Sequence, residues 1–179
     1  MTAPRQERND IRPDAGFRRG TALISRLAAL GWVSLAVLEC LPHPVRAATT
    51  ERVVVNRFSG LAIEGFDPVA YFVDQSPMLG LPAFEAAEAG VVWRFHNEGN
   101  RASFLAHPEI YGPQFGGYDP IDLGRGVTVA GNPRFFLVSG QRLYLFGREQ
   151  NRDAFAADPE RALRAANLRW PALEQGLAQ

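Results

Sequence analysis

Asn100-Arg-Ala-Ser-Phe-Leu-Ala-His-Pro-Glu109 is repeated as Asn151-Arg-Asp-Ala-Phe-Ala-Ala-Asp-Pro-Glu160, with six of the ten residues identical. A second pair lies upstream at nearly the same offset, Gly65-Phe-Asp-Pro-Val69 and Gly117-Tyr-Asp-Pro-Ile121. Self-similarity in a fixed order is typical of one supersecondary unit that is built twice, because a single copy cannot bury its apolar face alone. The two stretches therefore indicate an internal duplication.

We predict that the repeat spans residues 65–111 and 117–162, each copy being a turn, a β-hairpin and two helices. Each copy opens with Asp-Pro, where aspartate caps a helix and proline fits its first turn. Glycine between two alternating runs predicts the hairpin. The fold class is α+β, one small domain with an antiparallel sheet covered by helices. Its expected core is the set of repeated aromatic residues, Trp93/Tyr144, Phe95/Phe146 and Phe104/Phe155.

Helices are predicted after both hairpins, over about residues 98–106 and 149–157. Proline and glutamate then start a further helix in each copy. In the second copy this helix is expected to run from Glu160 to Asn167, before a break at Trp170-Pro171 and a short helical tail.

Residues 1–47 have the composition of a signal peptide. Six arginines precede or enter an apolar stretch over 27–38, and Val45-Arg46-Ala47 offers a cleavage site. The stretch is shorter than the roughly 20 residues of a transmembrane helix. We predict export to the bacterial periplasm or medium, by the Sec route or, given Arg18-Arg19, by the twin-arginine route; an uncleaved membrane anchor is the alternative. Residues 48–60 are then an N-terminal extension, and 61–179 the domain.

The residues after position 47 contain no cysteine, since Cys40 is the only one. Disulfides, thiolate metal sites and cysteine nucleophiles are excluded for a cleaved product. Twelve of the nineteen arginines and fifteen of the nineteen acidic residues follow position 47, which gives a net charge of −3. This mildly acidic charge argues against nucleic acid or anionic lipid as a partner, and no stable membrane insertion is expected after cleavage.

The run Pro108-Glu-Ile-Tyr-Gly-Pro-Gln-Phe-Gly-Gly-Tyr118, together with Gly65–Phe72, Trp93-Arg-Phe95 and Trp170-Pro171, resembles the YHS domain family in its long, exported bacterial form. The resemblance covers about residues 60–171. It implies a small α+β domain associated with metals, so that a divalent metal ion is the candidate cofactor. Long-form members commonly carry a cysteine after Gly-Gly-Tyr, where this chain has Asp119.

The candidate metal ligands are His96, His107 and Asp119. A metal site needs three or four ligands that converge from several elements. The alternative is structural, because His107 stands where the second copy has Asp158, before a proline, and Asp119 repeats Asp67. Helix capping explains these positions without a metal.

Asp67 and Asp119 could also form an acid–base pair, although capping explains both. Arg101 and Arg152 each lie eight residues before a glutamate of the next helix. This spacing predicts either an ion pair between packed helices, Arg101 with Glu109 and Arg152 with Glu160, or a carboxylate-to-backbone bond, rather than a substrate clamp.

The junction Pro113–Tyr118 is the stretch that the repeat does not require. A cleft between two similar halves would open there, and loops outside the structural pattern often carry function. The predicted lining of a ligand pocket is Tyr111, Gln114, Phe115 and Tyr118, with His96 nearby. The alternative is a rigid linker between the copies.

The resulting hypothesis is an exported, non-enzymatic YHS-type binding or accessory domain with a role in metal homeostasis, whose partner is a protein or a small ligand. The alternative is a structural or protein-interaction module that has lost metal binding. An enzyme acting on a small molecule at the junction is the third reading. No serine occupies a nucleophile elbow, and no glycine-rich phosphate loop follows a predicted strand.

Overall fold

The computed structural model of the chain describes residues 52–177. The predicted signal peptide and the first part of the predicted extension lie outside this range. The described elements, in chain order, are α1 Ala70–Val73, β1 Leu81–Glu88, β2 Val91–Phe95, α2 Glu98–Ala106, α3 Pro108–Tyr111, α4 Pro120–Gly124, β3 Asn132–Ser139, β4 Arg142–Phe146, α5 Glu149–Ala157 and α6 Pro159–Leu177. Two short 3-10 helices, Ile63–Gly65 and Gln114–Gly117, precede α1 and α4.

The α+β class is confirmed, and the strands form two separate antiparallel hairpins, β1–β2 and β3–β4, rather than one shared sheet. Each hairpin turns through two residues with positive φ, Ala89-Gly90 and Gly140-Gln141. Two such residues in succession match the right-handed twist of paired strands. The register slips at the same place in both hairpins, between Leu81 and Glu85 in β1 and between Asn132 and Phe136 in β3.

The six repeated aromatic side chains are buried, as predicted. Each half contains the same contact between strand and helix. The ring centroids of Trp93 and Phe104 lie 4.9 Å apart, and those of Tyr144 and Phe155 lie 4.8 Å apart. Large aromatic surfaces dominate the energy of a small core, so these pairs hold each hairpin against its helix.

Asp67 fastens the first half together from a fully buried position. Its carboxylate accepts hydrogen bonds from Val69 N at 2.9 Å, His96 N at 2.8 Å and Asn100 Nδ2 at 2.6 Å. These donors belong to the turn before α1, the end of β2 and helix α2. One carboxylate therefore joins three elements, and its buried oxygens are satisfied by neutral donors.

Asp119 does the same in the second half and is also fully buried. It is the N-cap of α4, as predicted, and accepts from Ile121 N at 2.9 Å. Its other oxygen accepts from Gly147 N at 2.8 Å and Asn151 Nδ2 at 2.7 Å. The two halves thus share the same aspartate clamp, while their origin by duplication stays a prediction.

Helix α6 is longer than expected. It continues through Pro171 to Leu177, although proline removes one hydrogen bond and crowds the preceding turn. Leu173 and Leu177 pack against a buried cluster that contains Tyr118, Leu123 and Ala166. Burial of these side chains offsets the local cost of the proline.

Candidate functional site

The junction between the halves has a backbone that the sequence did not reveal. In the 3-10 helix Gln114–Gly117, Phe115 and Gly116 adopt left-handed conformations, with φ of 54° and 62°. The 3-10 helix Ile63–Gly65 has the same feature, since Ile63 and Glu64 have φ of 41° and 58°. The prediction that the junction has no counterpart in the first half is therefore wrong.

The bonds around these two turns also correspond. Gly80 N donates to Gly65 O, and Gly131 N donates to Gly117 O, both at 2.9 Å. The side chains differ, because Ile63 is fully buried whereas Phe115 is half-buried. Non-glycine residues with positive φ store strain, which is typical of functional sites. Phe115 is the one of the two that reaches a cavity.

A cleft of about 450 Å³ opens at this junction, between the tip of the first hairpin, the α2–α3 corner and α6. Its aromatic lining comes from both halves of the chain, and its polar rim carries three charged residues. The aromatic residues are Trp93, Phe104, Phe115 and Trp170, and the charged ones are Arg52, Glu88 and Glu174. A concave, mostly apolar cavity with a few polar groups is the usual form of a ligand site.

The aromatic walls of this junction cleft are arranged in two groups. The rings of Phe115 and Trp170 lie 5.7 Å apart with planes at 74°, which makes a corner. Trp93 and Phe104 form the second group, and both are almost fully buried. Since Trp93 Nε1 donates to Glu88 O at 3.1 Å, the indole is held in one orientation. The accessible ring surface of the cleft therefore comes from Phe115 and Trp170, and the buried pair forms its fixed inner wall.

The charged side chains at the rim of the junction cleft are Arg52, Glu88 and Glu174. Glu88 and Glu174 are half-buried and Arg52 is exposed. None of the three makes an ion pair with another residue of the range 52–177. Polar groups left unpaired beside an apolar cavity are available to a ligand.

A larger cleft of about 640 Å³ lies between α1, β3 and α5, and two of its three polar residues, Tyr71 and Arg152, already have partners. The Tyr71 hydroxyl donates to Pro133 O at 2.9 Å, and Arg152 pairs with Glu149 and Asp153. Burial, and then the negative charges of Asp67 and Glu64, raise the pKa of Tyr71 far above its ordinary value. The tyrosine is thus a structural hydrogen-bond donor rather than an acid.

The structure brings together only two of the predicted pocket residues, Phe115 and Tyr118, which both contact Trp170. Phe115 lines the junction cleft, whereas Tyr111, Gln114 and His96 do not. Tyr111 instead packs edge-on against Phe72, with ring centroids 5.3 Å apart. Tyr118 is buried and faces a different cavity, beside Val53–Val55.

The candidate metal ligands do not form a metal site. Both carboxylate oxygens of Asp119 are taken by its clamp, while His96 and His107 are exposed. Within residues 52–177, no group of three or more histidine, cysteine, aspartate or glutamate side chains could hold a metal ion. The ligands present thus do not fit the divalent metal that the family resemblance implies.

Two details of the structural alternative also need correction. His107 occupies the N-cap of α3 without a capping side-chain bond and contacts Glu109, whereas Asp158 accepts a bond from Arg161 N. The arginines of α2 and α5 pair within their own helices, Arg101 with Glu98 and Arg152 with Glu149, each at 2.8 Å. A partner three residues away is closer on a helix than one on the next element.

The sequence did not indicate that three charged residues line the cleft, namely Arg52, Glu88 and Glu174. It indicated only that Trp170 lies near the end of a helix. One signal was available, because Trp170 and Glu174 are four residues apart and share a helix face. That signal required α6 to continue through Pro171.

No helix among residues 52–177 has the length and apolar character needed to span a membrane. Comparisons with protein-family models, with curated proteins and with solved structures give no match to this chain.

Proposed function

We propose that this chain is an exported, non-enzymatic binding domain of the YHS type, an accessory protein whose small-molecule ligand enters the junction cleft. The observation that carries the proposal is the cavity of about 450 Å³ lined by aromatic residues from both halves. Pockets of this size, with an apolar lining and few polar groups, suit small organic molecules.

The non-enzymatic part of the proposal is supported by the fate of the acidic candidates. Asp67 and Asp119 are fully buried and fully used as clamps between elements. A general base must reach the proton that it removes, and neither carboxylate faces the cleft. The export part is supported by the leader-like composition of residues 1–47.

Co-purification tests the binding function. We expect mass spectrometry of the purified full-length protein to detect an organic molecule that is lost on denaturation. Trp170→Ala should reduce its occupancy, because one wall of the cleft disappears. Leu168→Ala is the matched control, since Leu168 lies on the same helix and is 82% exposed outside the cleft. A wild-type protein without bound molecule, which no member of a small-molecule library stabilises thermally, would contradict the proposal.

Export is tested separately by expressing the full chain in a bacterium and measuring the mass of the fractionated product. We expect a periplasmic or secreted form that begins at Ala48. An intact chain retained in the cytoplasm would overturn the export proposal and leave the cleft untouched.

A further inference from the structure

We propose that the junction cleft binds a small organic cation of the quaternary or alkylated ammonium class. This inference rests on the proposed function, because it names the ligand chemistry of the same cavity. Three properties of the lining lead to it: its ring surfaces, the small number of free donors on its inner wall and its charge.

The ring surfaces of the cleft match an alkylated cation. A cation within about 6 Å of an aromatic centroid is attracted by the negative face of the ring, most strongly by tryptophan. Phe115 and Trp170 meet at 74° across 5.7 Å, so they present two surfaces of a corner to one ligand. Trp93 lies behind these rings in the inner wall, where only 3% of it is exposed. Methyl groups around a nitrogen can contact such surfaces on several sides at once.

The inner wall of the cleft is poor in free hydrogen-bond donors, and the side-chain donors of the lining that are unpaired among residues 52–177 are the Arg52 guanidinium and the Trp170 indole N–H. The indole N–H of Trp93 already donates to Glu88 O, and the amide of Gly112 donates to Pro108 O at 2.8 Å. Pro108 and Pro113 carry no backbone N–H. An anion would find Arg52 as a charged donor but would lie beside the carboxylates of Glu88 and Glu174, whereas a quaternary ammonium ion requires no donor.

The charge of the rim favours a cation. Glu88 and Glu174 contribute two negative charges and Arg52 one positive charge, a net of −1 at the mouth. Both glutamates are half-buried, whereas Arg52 is exposed. Charges near a low-dielectric surface interact more strongly than charges in bulk water, so the glutamates should dominate.

The tryptophans allow a direct test. The chain has three, and Trp93 and Trp170 both line the cleft. In the full-length chain carrying Trp32→Phe, all indole fluorescence therefore comes from the cleft. This protein is titrated with choline, with its uncharged isostere dimethylbutanol and with the anion dimethylbutyrate. We expect saturable quenching by choline, about tenfold weaker binding of the alcohol and no binding of the anion.

A matched pair of variants separates charge from shape. Glu174→Gln should weaken choline about fivefold and leave dimethylbutanol unchanged, because only the charge is removed. Glu160→Gln makes the same change on α6 at an exposed position outside the cleft, and should change neither. The far-ultraviolet circular dichroism of both variants should equal that of the parent.

The outcomes distinguish the ligand class from the function itself. If the alcohol or the anion binds as tightly as choline, the cation assignment is wrong, while the cleft remains a binding site. If Glu174→Gln and Glu160→Gln weaken choline equally, the assignment is also overturned. If none of the three compounds binds, the assignment fails, and co-purification then decides whether the cleft binds another class of molecule.

Discussion

The two halves of the molecule share their hairpin, aromatic pair and aspartate clamp, and differ in their last helix. In the first half, α3 has four residues and ends before Gly112, whose ψ of 142° is extended. In the second half, the equivalent helix α6 has nineteen residues. Pro113 disfavours the helical region at Gly112, whereas α6 continues past Pro171 because Leu173 and Leu177 are packed against a buried cluster.

This difference produces the cleft. Since α3 ends early, the chain turns into the strained segment that carries Phe115. Since α6 continues, it covers α4 and brings Trp170 and Glu174 to the same junction. The features that the two halves share form the scaffold. The candidate site lies where the halves differ, at the short helix α3 and the long helix α6.

The largest expected effect tests the aspartate clamp. Asp67→Ala should lower the free energy of unfolding by about 4 kcal/mol, because three buried donors lose their acceptor. Asp119→Ala should cost less, since Asn151 Nδ2 also donates to Asp122 Oδ2 at 3.0 Å. Urea unfolding followed by circular dichroism measures both values.

The aspartate-to-asparagine variants serve as controls, because they keep the shape and one acceptor oxygen. They should fall between the wild type and the alanine variants. An equal decrease in the free energy of unfolding for Asp67→Ala and Asp119→Ala would show that the second acceptor, Asp122, does not compensate for the loss of Asp119.

The local features of both halves could be predicted from the sequence, because each depends on neighbouring residues. The Asp119 cap, the hairpin turns and helix α2 fall in this class, whereas the predicted cap at Asp67 is wrong, because Val69 is the N-cap of α1. The left-handed turn at Ile63 could not be predicted from the sequence. Glycine usually signals such a conformation, and neither Ile63 nor Phe115 is a glycine.

The number of sheets and the continuity of α6 depend on tertiary packing, which a single sequence does not display. Pro171 is a local helix breaker, and only the burial of Leu173 and Leu177 explains why the helix continues. For the same reason the residues of the cleft were found only in part. Phe115 lies in the junction itself, whereas Glu88 and Glu174 are distant in sequence.

The next effect concerns a tyrosine in each half, Tyr71 and Tyr144. Tyr71→Phe should cost about 1 kcal/mol at pH 7 through loss of the bond to Pro133 O. Because the folded pKa of Tyr71 is raised, its stabilisation is present below the ordinary tyrosine pKa of about 10 and is lost as the pH rises above it. The urea midpoint of the wild type should therefore fall between pH 9 and about 11 more than that of Tyr71→Phe.

The absence of lysine makes this comparison clean, because no ammonium group titrates in the same range. Burial also raises the pKa of Tyr144, but Arg142 opposes the shift. Tyr144→Phe should accordingly remove less of the alkaline destabilisation. If Tyr144→Phe removed more of the alkaline fall in the urea midpoint than Tyr71→Phe, Tyr144 rather than Tyr71 would be the main source of that fall.

A smaller effect separates the two hairpin turns. Ala89 has φ of 53° where the second half has Gly140 with φ of 57°. Ala89→Gly should stabilise the protein by about 1 kcal/mol, because glycine relieves left-handed strain. Gly140→Ala should destabilise it by a similar amount, about 1 kcal/mol. Thermal unfolding measures both, and a change of the same sign in the two variants would contradict the matched turn geometry.

The smallest effect concerns the exposed ion pairs of α2. Glu98→Gln removes the partner of Arg101 and should shift Tm by less than about 2 °C, since exposed pairs contribute little. Glu109→Gln should show the same dependence of Tm on salt concentration as the wild type, because Glu109 does not pair with Arg101. A larger decrease in Tm for Glu109→Gln than for Glu98→Gln would instead support the predicted ion pair between Arg101 and Glu109.

The register slip near the start of β1 and β3 has a consequence for self-association. Among residues 52–177, β1 pairs only with β2 and β3 pairs only with β4. One edge of β1 and one edge of β3 are therefore open. Open edges invite pairing between molecules unless they are interrupted. Pro82 and Pro133 stand at the second position of these strands, directly before the irregular segment. A proline followed by a bulge gives a neighbouring chain no regular ladder to extend, which protects the protein from growing edge to edge into fibres.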